Sequence, residues 1–529
     1  MVHRTAKRRT RRLVAAGVLT LGAGTVACAT YSDKTEAARA SLQVGDYAGS
    51  VKHFNKILKV REGNELPSDW KKNFALVVLE RAMVLQAMGD YEASAKNFIA
   101  ADKELEFLDL ARDGAGKLGK YIYSDSATKY KTSPAEKLSL NAMNMLNFLV
   151  RGDLSGAKVE TKRFTTMRNY LRDYEPEAEH GAYGSYLAGF VHERLGNADE
   201  ALRYYDEALQ ERDFGSLREP IERLSARGSY RGERIRDYLP EPKPTAPPPP
   251  IQKPEGMDDP PPTEPPAAED APPVEAPAAT GELARAGSFD VQLDSYAPMA
   301  EFGAVLPAGA NPWAMAAPAG SPTEILVIAK TGRVPYKVPE RIPIGAAIGL
   351  AGAYVTGDTT LLEYGMFKVV VYPELVKPNN LFVDAELRID GQVVPMDEGS
   401  NLGTEIIAEY EAIKPKIIGA ALSRMIVRAA AAEGARAGGK AASQDSGAAG
   451  LVGFLAAAAI EGTLVALDKP DTRSWSTLPE KVHIGRAVVP PGAHTVELTA
   501  FGPGGKERHT IPVEVQQGGF AVVDVTTLR

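Results

Sequence analysis

Four glycines in the first half of the chain constrain its fold more than any other feature. Each is followed by a polar residue, and then by a small and a larger residue at constant offsets. Such a glycine is typical of a tight turn, and the residues after it suit close packing between two helices. The pattern predicts helix pairs over residues 32–215. The predicted turn and contact residues are Gly45, Phe54, Gly89, Phe98, Gly152, Gly189, Gly196 and Tyr205.

This pattern resembles the tetratricopeptide repeat, in which a turn of this kind joins two antiparallel helices. The resemblance implies an all-α solenoid over residues 28–238. Stacked helix pairs form a concave groove, and such grooves bind a protein or peptide partner. Two alternatives remain open, a generic helical bundle and a packing module without a ligand of its own.

Residues 13–28 form a short apolar stretch that ends at Cys28, the only cysteine of the chain. A dense run of lysine and arginine precedes it, and small residues lie just before the cysteine. This combination is typical of a secretory signal, and the stretch is shorter than the roughly 20 residues that a membrane-spanning helix needs. The sequence therefore predicts a signal peptide over residues 1–27.

The four residues that end at Cys28, Thr-Val-Ala-Cys, resemble the lipobox of bacterial lipoproteins. The resemblance implies cleavage before Cys28 and acylation of that residue, so that the membrane partner is bound through a lipid anchor. Ala29 and Thr30 follow without an aspartate, which implies the periplasmic face of the outer membrane. The alternative is an ordinary signal peptide that contains a cysteine, and the export route stays open.

The charge balance argues against nucleic acid as a partner. The whole chain has a net charge of −7, and six of its 61 basic residues precede Cys28, which leaves 55 against 68 acidic residues and a net charge of −13. No basic patch with interleaved aromatic residues is evident in the sequence. An acylated Cys28 also leaves no cysteine for a disulfide, so packing alone must stabilise the fold.

Residues 239–320 are rich in proline and alanine, with scattered acidic residues. This composition cannot bury a core, and it favours an extended, disordered linker. At about 3.1 Å per residue such a linker reaches on the order of 100 Å. We therefore expect it to hold the C-terminal domain well away from the helical repeats.

Residues 321–529 predict an α+β domain, similar to a small antiparallel β-sandwich with a helical insert at about residues 403–467. Strand patterns occupy residues 324–332, 367–375 and three segments near the end of the chain, and Asp390-Gly391 predicts a hairpin turn. Helical periodicity over residues 405–433 predicts an amphipathic helix with a break near Pro415, followed by a polar turn over residues 434–447.

Two stretches rich in glycine and alanine lie in this domain, at residues 344–355 and 448–467. The second is long enough to cross a bilayer, but Glu461 interrupts it and no basic residues flank it. We expect both stretches to be core or closely packed helix contacts. Membrane contact or a homo-oligomeric interface is the alternative.

The most distinctive motif of the second half comprises Asp471, Arg473, Trp475, Leu478 and Pro479. We expect a locked loop in which Arg473 pairs with a carboxylate and Trp475 inserts into the sheet. The motif resembles a D-x-R-S-W-x-x-L-P signature of an uncharacterised family of bacterial tetratricopeptide-repeat lipoproteins, in which a strand and P-x-G-x-H follow. The resemblance implies a periplasmic lipoprotein without a known activity. A recognition or catalytic role for Asp471 and Arg473 is the alternative.

The sequence carries no catalytic signature. None of its seven histidines has a metal-binding spacing, and it contains no G-x-S-x-G, phosphate-binding or dinucleotide motif. We expect no enzyme activity, cofactor or metal. Glu160 is the one carboxylate considered as a buried ligand, and we expect it instead to pair with a neighbouring basic residue on a solvated face.

Together these features suggest an outer-membrane lipoprotein that acts as a protein-binding scaffold in envelope biogenesis. The alternative is an oligomeric, membrane-associated assembly or secretion component that associates through the glycine- and alanine-rich stretches.

Overall fold

Paired helices form the N-terminal region in a computed structural model of the chain, which describes residues 29–105, 130–174, 181–239, 320–351, 369–441 and 470–529. The pairs are α1 Tyr31–Gln43 with α2 Tyr47–Leu58, α3 Phe74–Ala87 with α4 Tyr91–Glu104, α5 Pro134–Val150 with α6 Leu154–Tyr174, and α7 Ala182–Arg194 with α8 Ala198–Glu211. A 3₁₀ turn, Gly215–Leu217, and two short helices, α9 Arg218–Ser225 and α10 Glu233–Tyr238, follow.

The predicted turn glycines lie between the two helices of each pair. Gly45, Gly89, Gly152 and Gly196 all have positive φ angles, between 71° and 81°, a backbone region that side chains with a Cβ rarely adopt. In the first pair, the carboxylate of the following Asp46 accepts a hydrogen bond from the N–H of Gly49 at 2.8 Å and thereby caps α2. The predicted helix pairs and their turns are confirmed.

The first helix of a pair is more deeply buried than the second. Every residue from Phe74 to Gln86 of α3 is buried, and so is every residue of α7. The second helices keep a polar side exposed to solvent, as amphipathic helices do. Something other than the second helices must therefore cover the first ones.

Strands and two further helices form the C-terminal region. The strands are β1 Glu324–Thr331, β2 Tyr336–Pro343, β3 Val369–Val376, β4 Asp384–Ile389, β5 Gln392–Val394, β6 Met396–Asn401, β7 Lys481–Val488, β8 Gly492–Gly502, β9 Gly505–Val515 and β10 Phe520–Thr527. The helices are α11 Ile344–Ala351 and α12 Leu402–Ala441. Within the described residues, the sheets have the strand orders β10-β1-β7-β6, β5-β4-β8-β9 and β2-β3.

The two four-stranded sheets share an apolar core formed by side chains such as Val327, Leu387 and Leu498. Their strand directions differ from the prediction in one respect. β10 pairs with β1 in parallel, from Glu324 opposite Phe520 to Thr331 opposite Thr527, so the sandwich is not purely antiparallel. Short strands that follow one another in sequence predict hairpins. β10 follows the β8–β9 hairpin in sequence, but it pairs with β1 in the other sheet.

Helix α12 is longer and more continuous than the sequence predicts. Pro415 lies inside it without ending it, and residues 434–441, predicted as a turn, are helical. A proline removes its own N–H from the helix ladder and crowds the carbonyl four residues earlier. The apolar residues on either side, including Ile413 and Ile417, pack against β3 and α11 in one small core and keep the helix in place across the proline.

The helices and sheets pack directly on each other. The described residues before 240 and those from 320 onward form one compact unit, in which α1 contacts β2, α3 and α5 contact β10, and α7 contacts β6. β1 is buried along its whole length, because one face meets the second sheet and the other meets the helices. The expectation that the linker holds the two regions apart is therefore wrong. The linker at residues 240–319, Cys28 and residues 448–467 lie outside the described residues.

Candidate functional site at the junction of helices and sheets

The predicted motif lies in a loop, residues 470–480, at the junction between the helices and the first sheet. Trp475 is among the largest fully buried side chains, and Leu478 is also completely buried. The indole ring meets Phe98 of α4 edge-on, with ring centroids 5.9 Å apart, and its N–H donates to Oγ1 of Thr477 at 3.2 Å. Trp475 was expected to insert into the sheet, but its aromatic partner belongs to a helix.

Arg473 pairs with Asp471 in a two-pronged contact. Its Nη2 lies 2.6 Å from Oδ2 and its Nε lies 2.8 Å from Oδ1. The backbone N–H of Arg473 also donates to Oδ1 at 3.1 Å. The guanidinium lies over the ring of Tyr130, 5.7 Å from its centroid. The predicted pairing of Arg473 with a carboxylate is confirmed, and it fixes the shape of the loop.

Glu80 of α3 binds the backbone of the same loop. Its Oε1 accepts from the N–H and the hydroxyl of Ser476 at 3.1 and 2.9 Å, and its Oε2 accepts from the N–H of Thr477 at 2.8 Å. Burial raises the pKa of the Glu80 carboxyl, and the hydrogen bonds from Thr477 and Ser476 counteract it. A buried carboxylate that accepts several hydrogen bonds is a structural clamp for the loop.

Glu136 joins the cap of α5 to the loop. Its carboxylate accepts from the N–H of Ser133 at 3.0 Å and completes a capping box at this helix start. The same carboxylate accepts from the hydroxyl of Tyr130 at 2.5 Å and from the backbone N–H of Trp475 at 2.9 Å. One side chain therefore stabilises a helix start and the junction at once.

A small cavity of about 30 Å³ lies beside the loop, with Asp471, Glu136 and Lys337 among its lining residues. Lys337 keeps some exposed surface, but its amine is enclosed, and burial lowers its pKa while Asp471 and Glu136 act to raise it. A space of this size holds one or two water molecules. It is too small to hold an organic ligand.

Two buried ion networks cross the same junction farther along. Glu193 of α7 lies 2.8 Å from Arg486 of β7 and 2.6 Å from Arg223, and the hydroxyl of Tyr205 donates to it at 2.6 Å. Burial acts to raise the pKa of Glu193, but Arg486 and the other arginines outweigh it and hold the pKa at about 2. Arg194 and Arg486 also pair with Glu324 of β1.

The second network contains Lys330 of β1 and Asp524 of β10, which lie 3.1 Å apart with both side chains buried. Gln86 of α3 accepts a further hydrogen bond from the Lys330 amine. Burial lowers the pKa of Lys330 and raises that of Asp524, although each partly offsets the shift of the other. No local sequence pattern indicates either network, because the residues of each network are far apart along the chain.

The predicted contact residues of the repeats lie in the helical core. Phe54, Phe98 and Tyr205 are fully buried, and a Cβ on Gly189 would lie 2.4 Å from ring atoms of Tyr205. Glu160 pairs with the neighbouring Arg163, as predicted, but it is fully buried rather than on a solvated face. It accepts a hydrogen bond from Asn141 of α5 at 3.1 Å and lies 3.5 Å from Arg163, because this side of α6 faces α5.

A histidine clamp in the second sheet was also not predicted. His494 directs Nδ1 at Oδ2 of Asp390, 2.6 Å away, and Nε2 at the carbonyl of Pro490, 2.7 Å away. Asp390 lies in the predicted hairpin turn, and its other oxygen accepts from the N–H of Thr495 at 2.8 Å. The P-x-G-x-H pattern at Pro490, Gly492 and His494 was the available signal. This pattern points to Pro490 and His494, but it does not identify Asp390 as the partner of His494.

Comparison with known proteins does not assign the chain to a family. No protein-family model matches the chain, and no curated protein matches it at a significant level. Within the described residues, no group of His, Cys, Asp or Glu side chains is arranged to hold a metal ion. No helix in that part of the chain is both long enough and apolar enough to cross a membrane.

Proposed function

We propose that the protein is a lipoprotein, anchored through acylated Cys28 at the periplasmic face of the outer membrane, that acts as a protein-binding scaffold in envelope biogenesis. The observation that carries the proposal is the apolar stretch of residues 13–28 with the single cysteine at its end. Helix α1 begins at Tyr31, so the folded part starts directly after the proposed anchor. The paired helices agree with a tetratricopeptide-like solenoid, and the D-x-R-S-W motif supports membership of the lipoprotein family that it resembles.

A protein partner needs a surface other than the first helices of the pairs, because the sheet and the motif loop cover these helices. We assign the partner to the arm formed by β2, β3 and α11. Leu350 at the end of α11 is 48% exposed and Val369 at the start of β3 is 45% exposed. A partner that covers these side chains would remove their apolar surface from water.

The anchor is tested by substitution of Cys28 with alanine in cells supplied with a labelled fatty acid. We expect the wild-type chain to carry the label and to fractionate with the outer membrane. The Cys28→Ala variant should lack the label and appear in the soluble periplasmic fraction. Since the chain has no other cysteine, label on the variant or its retention in the membrane contradicts the proposal.

A homo-oligomer formed through the same arm is the second candidate, because the arm contains exposed Gly345 and Ala346, which allow close helix approach. Mass photometry of the full chain separates the two candidates. A Leu350→Lys variant should convert an oligomer to a monomer, but in a monomeric scaffold it should only weaken partner cross-linking. The matched control is Val393→Lys on β5, where the side chain is 58% exposed outside the arm.

A further inference from the structure

Exposed lysines recur at equivalent positions of the second helices. Lys52 of α2 and Lys96 of α4 each lie seven residues after the turn glycine of their pair. Lys59 and Lys103 each lie fourteen residues after it, and all four side chains are exposed. Equivalent positions in successive helix pairs lie side by side along the array. The lysines therefore form a row across the first two pairs.

Exposed lysines also occur on the third pair, six and ten residues after its turn glycine rather than seven and fourteen. Exposed Lys158 and Lys162 lie on α6, whereas its Glu160 is buried. Arg203 of α8 has the same offset as Lys52 but is neutralised by Glu200 and Glu207. The basic face thus comprises the exposed sides of α2, α4 and α6.

Little negative charge offsets this face. Helix α2 contains no acidic residue, and the exposed acidic side chain within α4 is Glu92. Within the described part of the chain, none of the following lysines forms an ion pair: Lys52, Lys56, Lys59, Lys96, Lys158 and Lys162. These six lysines are therefore available to bind anions on a chain whose remainder is acidic.

The face lies close to the proposed anchor. Helix α1 begins at Tyr31, and α2 returns antiparallel to it across a three-residue turn, so Lys56 and Lys59 lie beside the start of α1. Two residues, Ala29 and Thr30, lie between Cys28 and Tyr31, and the three Cα–Cα steps span roughly 10 Å at most. Acylation of Cys28 would therefore bring the end of α2 to the level of the lipid headgroups.

We propose that the basic face binds the anionic headgroups of phospholipids, so that the anchored protein lies with its second helices against the bilayer. This rests on the proposed lipid anchor. The acidic remainder of the chain does not prevent binding, because charge is screened beyond about 8 Å at physiological salt. Clusters of lysine next to a membrane anchor are a known basis of anionic lipid binding.

The test uses the chain from residue 28 onward with Cys28→Ser, which is the form left by the proposed cleavage but without acyl chains. Its sedimentation is measured with vesicles of pure phosphatidylcholine and with vesicles that also contain phosphatidylglycerol. We expect binding only to the mixed vesicles, with loss at high salt. The variant Lys52→Glu, Lys56→Glu, Lys96→Glu should bind about tenfold less tightly or worse.

The matched control is Lys377→Glu, Lys506→Glu, Arg508→Glu, which makes the same change in net charge at exposed positions of the C-terminal region. Circular dichroism checks that both variants fold. Equal loss in the control, or no binding to mixed vesicles, overturns the proposal. Binding to heparin without binding to vesicles also overturns it, in favour of an anionic polymer. None of these results depends on acylation of Cys28, which the labelling experiment tests separately.

Discussion

The backbone N–H of Trp475 donates a hydrogen bond to Oε1 of Glu136, a residue 339 positions earlier in the chain, over 2.9 Å. Glu136 also completes the capping box of α5, so the start of a helix and the motif loop depend on one carboxylate. Glu80 holds the next two residues of the loop in the same way. The loop therefore binds the helices much as a peptide ligand would, through its backbone N–H groups and one aromatic anchor.

Removal of the Trp475 side chain should destabilise the whole fold. Trp475→Ala leaves a cavity against Phe98, and we expect the free energy of unfolding to fall by about 3–5 kcal/mol. Urea denaturation followed by circular dichroism measures it. Val488→Ala is the control, because that side chain is half exposed and should change stability by less than about 0.5 kcal/mol. Equal midpoints for the two variants would show that the indole contact is not stabilising.

The clamp formed by Glu80 can be tested separately. Glu80→Ala leaves the N–H groups of Ser476 and Thr477 without their acceptor, and a buried unpaired group costs about 1–3 kcal/mol. Part of this loss is offset because the buried carboxylate no longer has to be desolvated, so we expect a net loss of about 2 kcal/mol. Glu62→Ala, in an exposed loop, should have no measurable effect. An unchanged Glu80→Ala variant would rule out the clamp.

The close approach of α7 and α8 at Gly189 predicts a change of sign in a double-mutant cycle. Gly189→Ala places a Cβ 2.4 Å from the Tyr205 ring and should cost about 1–3 kcal/mol. In a Tyr205→Ala background the clash is absent, and the same substitution should stabilise the helix by up to about 1 kcal/mol. Chemical denaturation of the four proteins gives the coupling energy. A cost of Gly189→Ala that is the same in both backgrounds would contradict the packing.

The histidine clamp predicts a pH dependence. Both ring nitrogens of His494 face acceptors, so the hydrogen bond to Asp390 raises the pKa of His494 above its usual value and lowers that of Asp390. The stabilising effect of His494 is then complete below about pH 6.5 and is lost as the pH rises through the raised value. NMR titration, with His494→Gln to assign the resonance, should show a lower His494 pKa in Asp390→Asn. If the pKa of His494 is the same in Asp390→Asn as in the wild type, the clamp is excluded.

The sequence predicts local structure well because local structure depends on neighbouring residues. The turn glycines and the pairing of Arg473 with a carboxylate, that of Asp471, involve residues within a few positions of each other, and both are found as predicted. The docking of helices on sheets depends on pairs such as Lys330 with Gln86, which no local pattern connects. One signal was available, because the apolar run in β1 is nearly continuous, as in strands covered on both faces.

The errors share a physical cause. Glu160 and Pro415 were interpreted from residue type alone, the first as solvated and the second as a helix break. In the fold, Asn141 supplies a partner for the carboxylate, and a packed apolar stripe holds the helix on both sides of the proline. Tertiary contacts outweigh local preference at both positions.

The parallel pairing of β1 with β10 has a consequence for synthesis. Every element from α1 to β9 leaves the ribosome before β10, yet β10 supplies Asp524 to Lys330 and lies against α3 and α5. Leu528 likewise donates its N–H to the hydroxyl of Tyr47, in the first helix pair. The helix pairs can form early, but their apolar faces stay open until the last strand arrives. The fold is therefore completed only once β10 can reach β1, and the open helix faces need protection from aggregation until then.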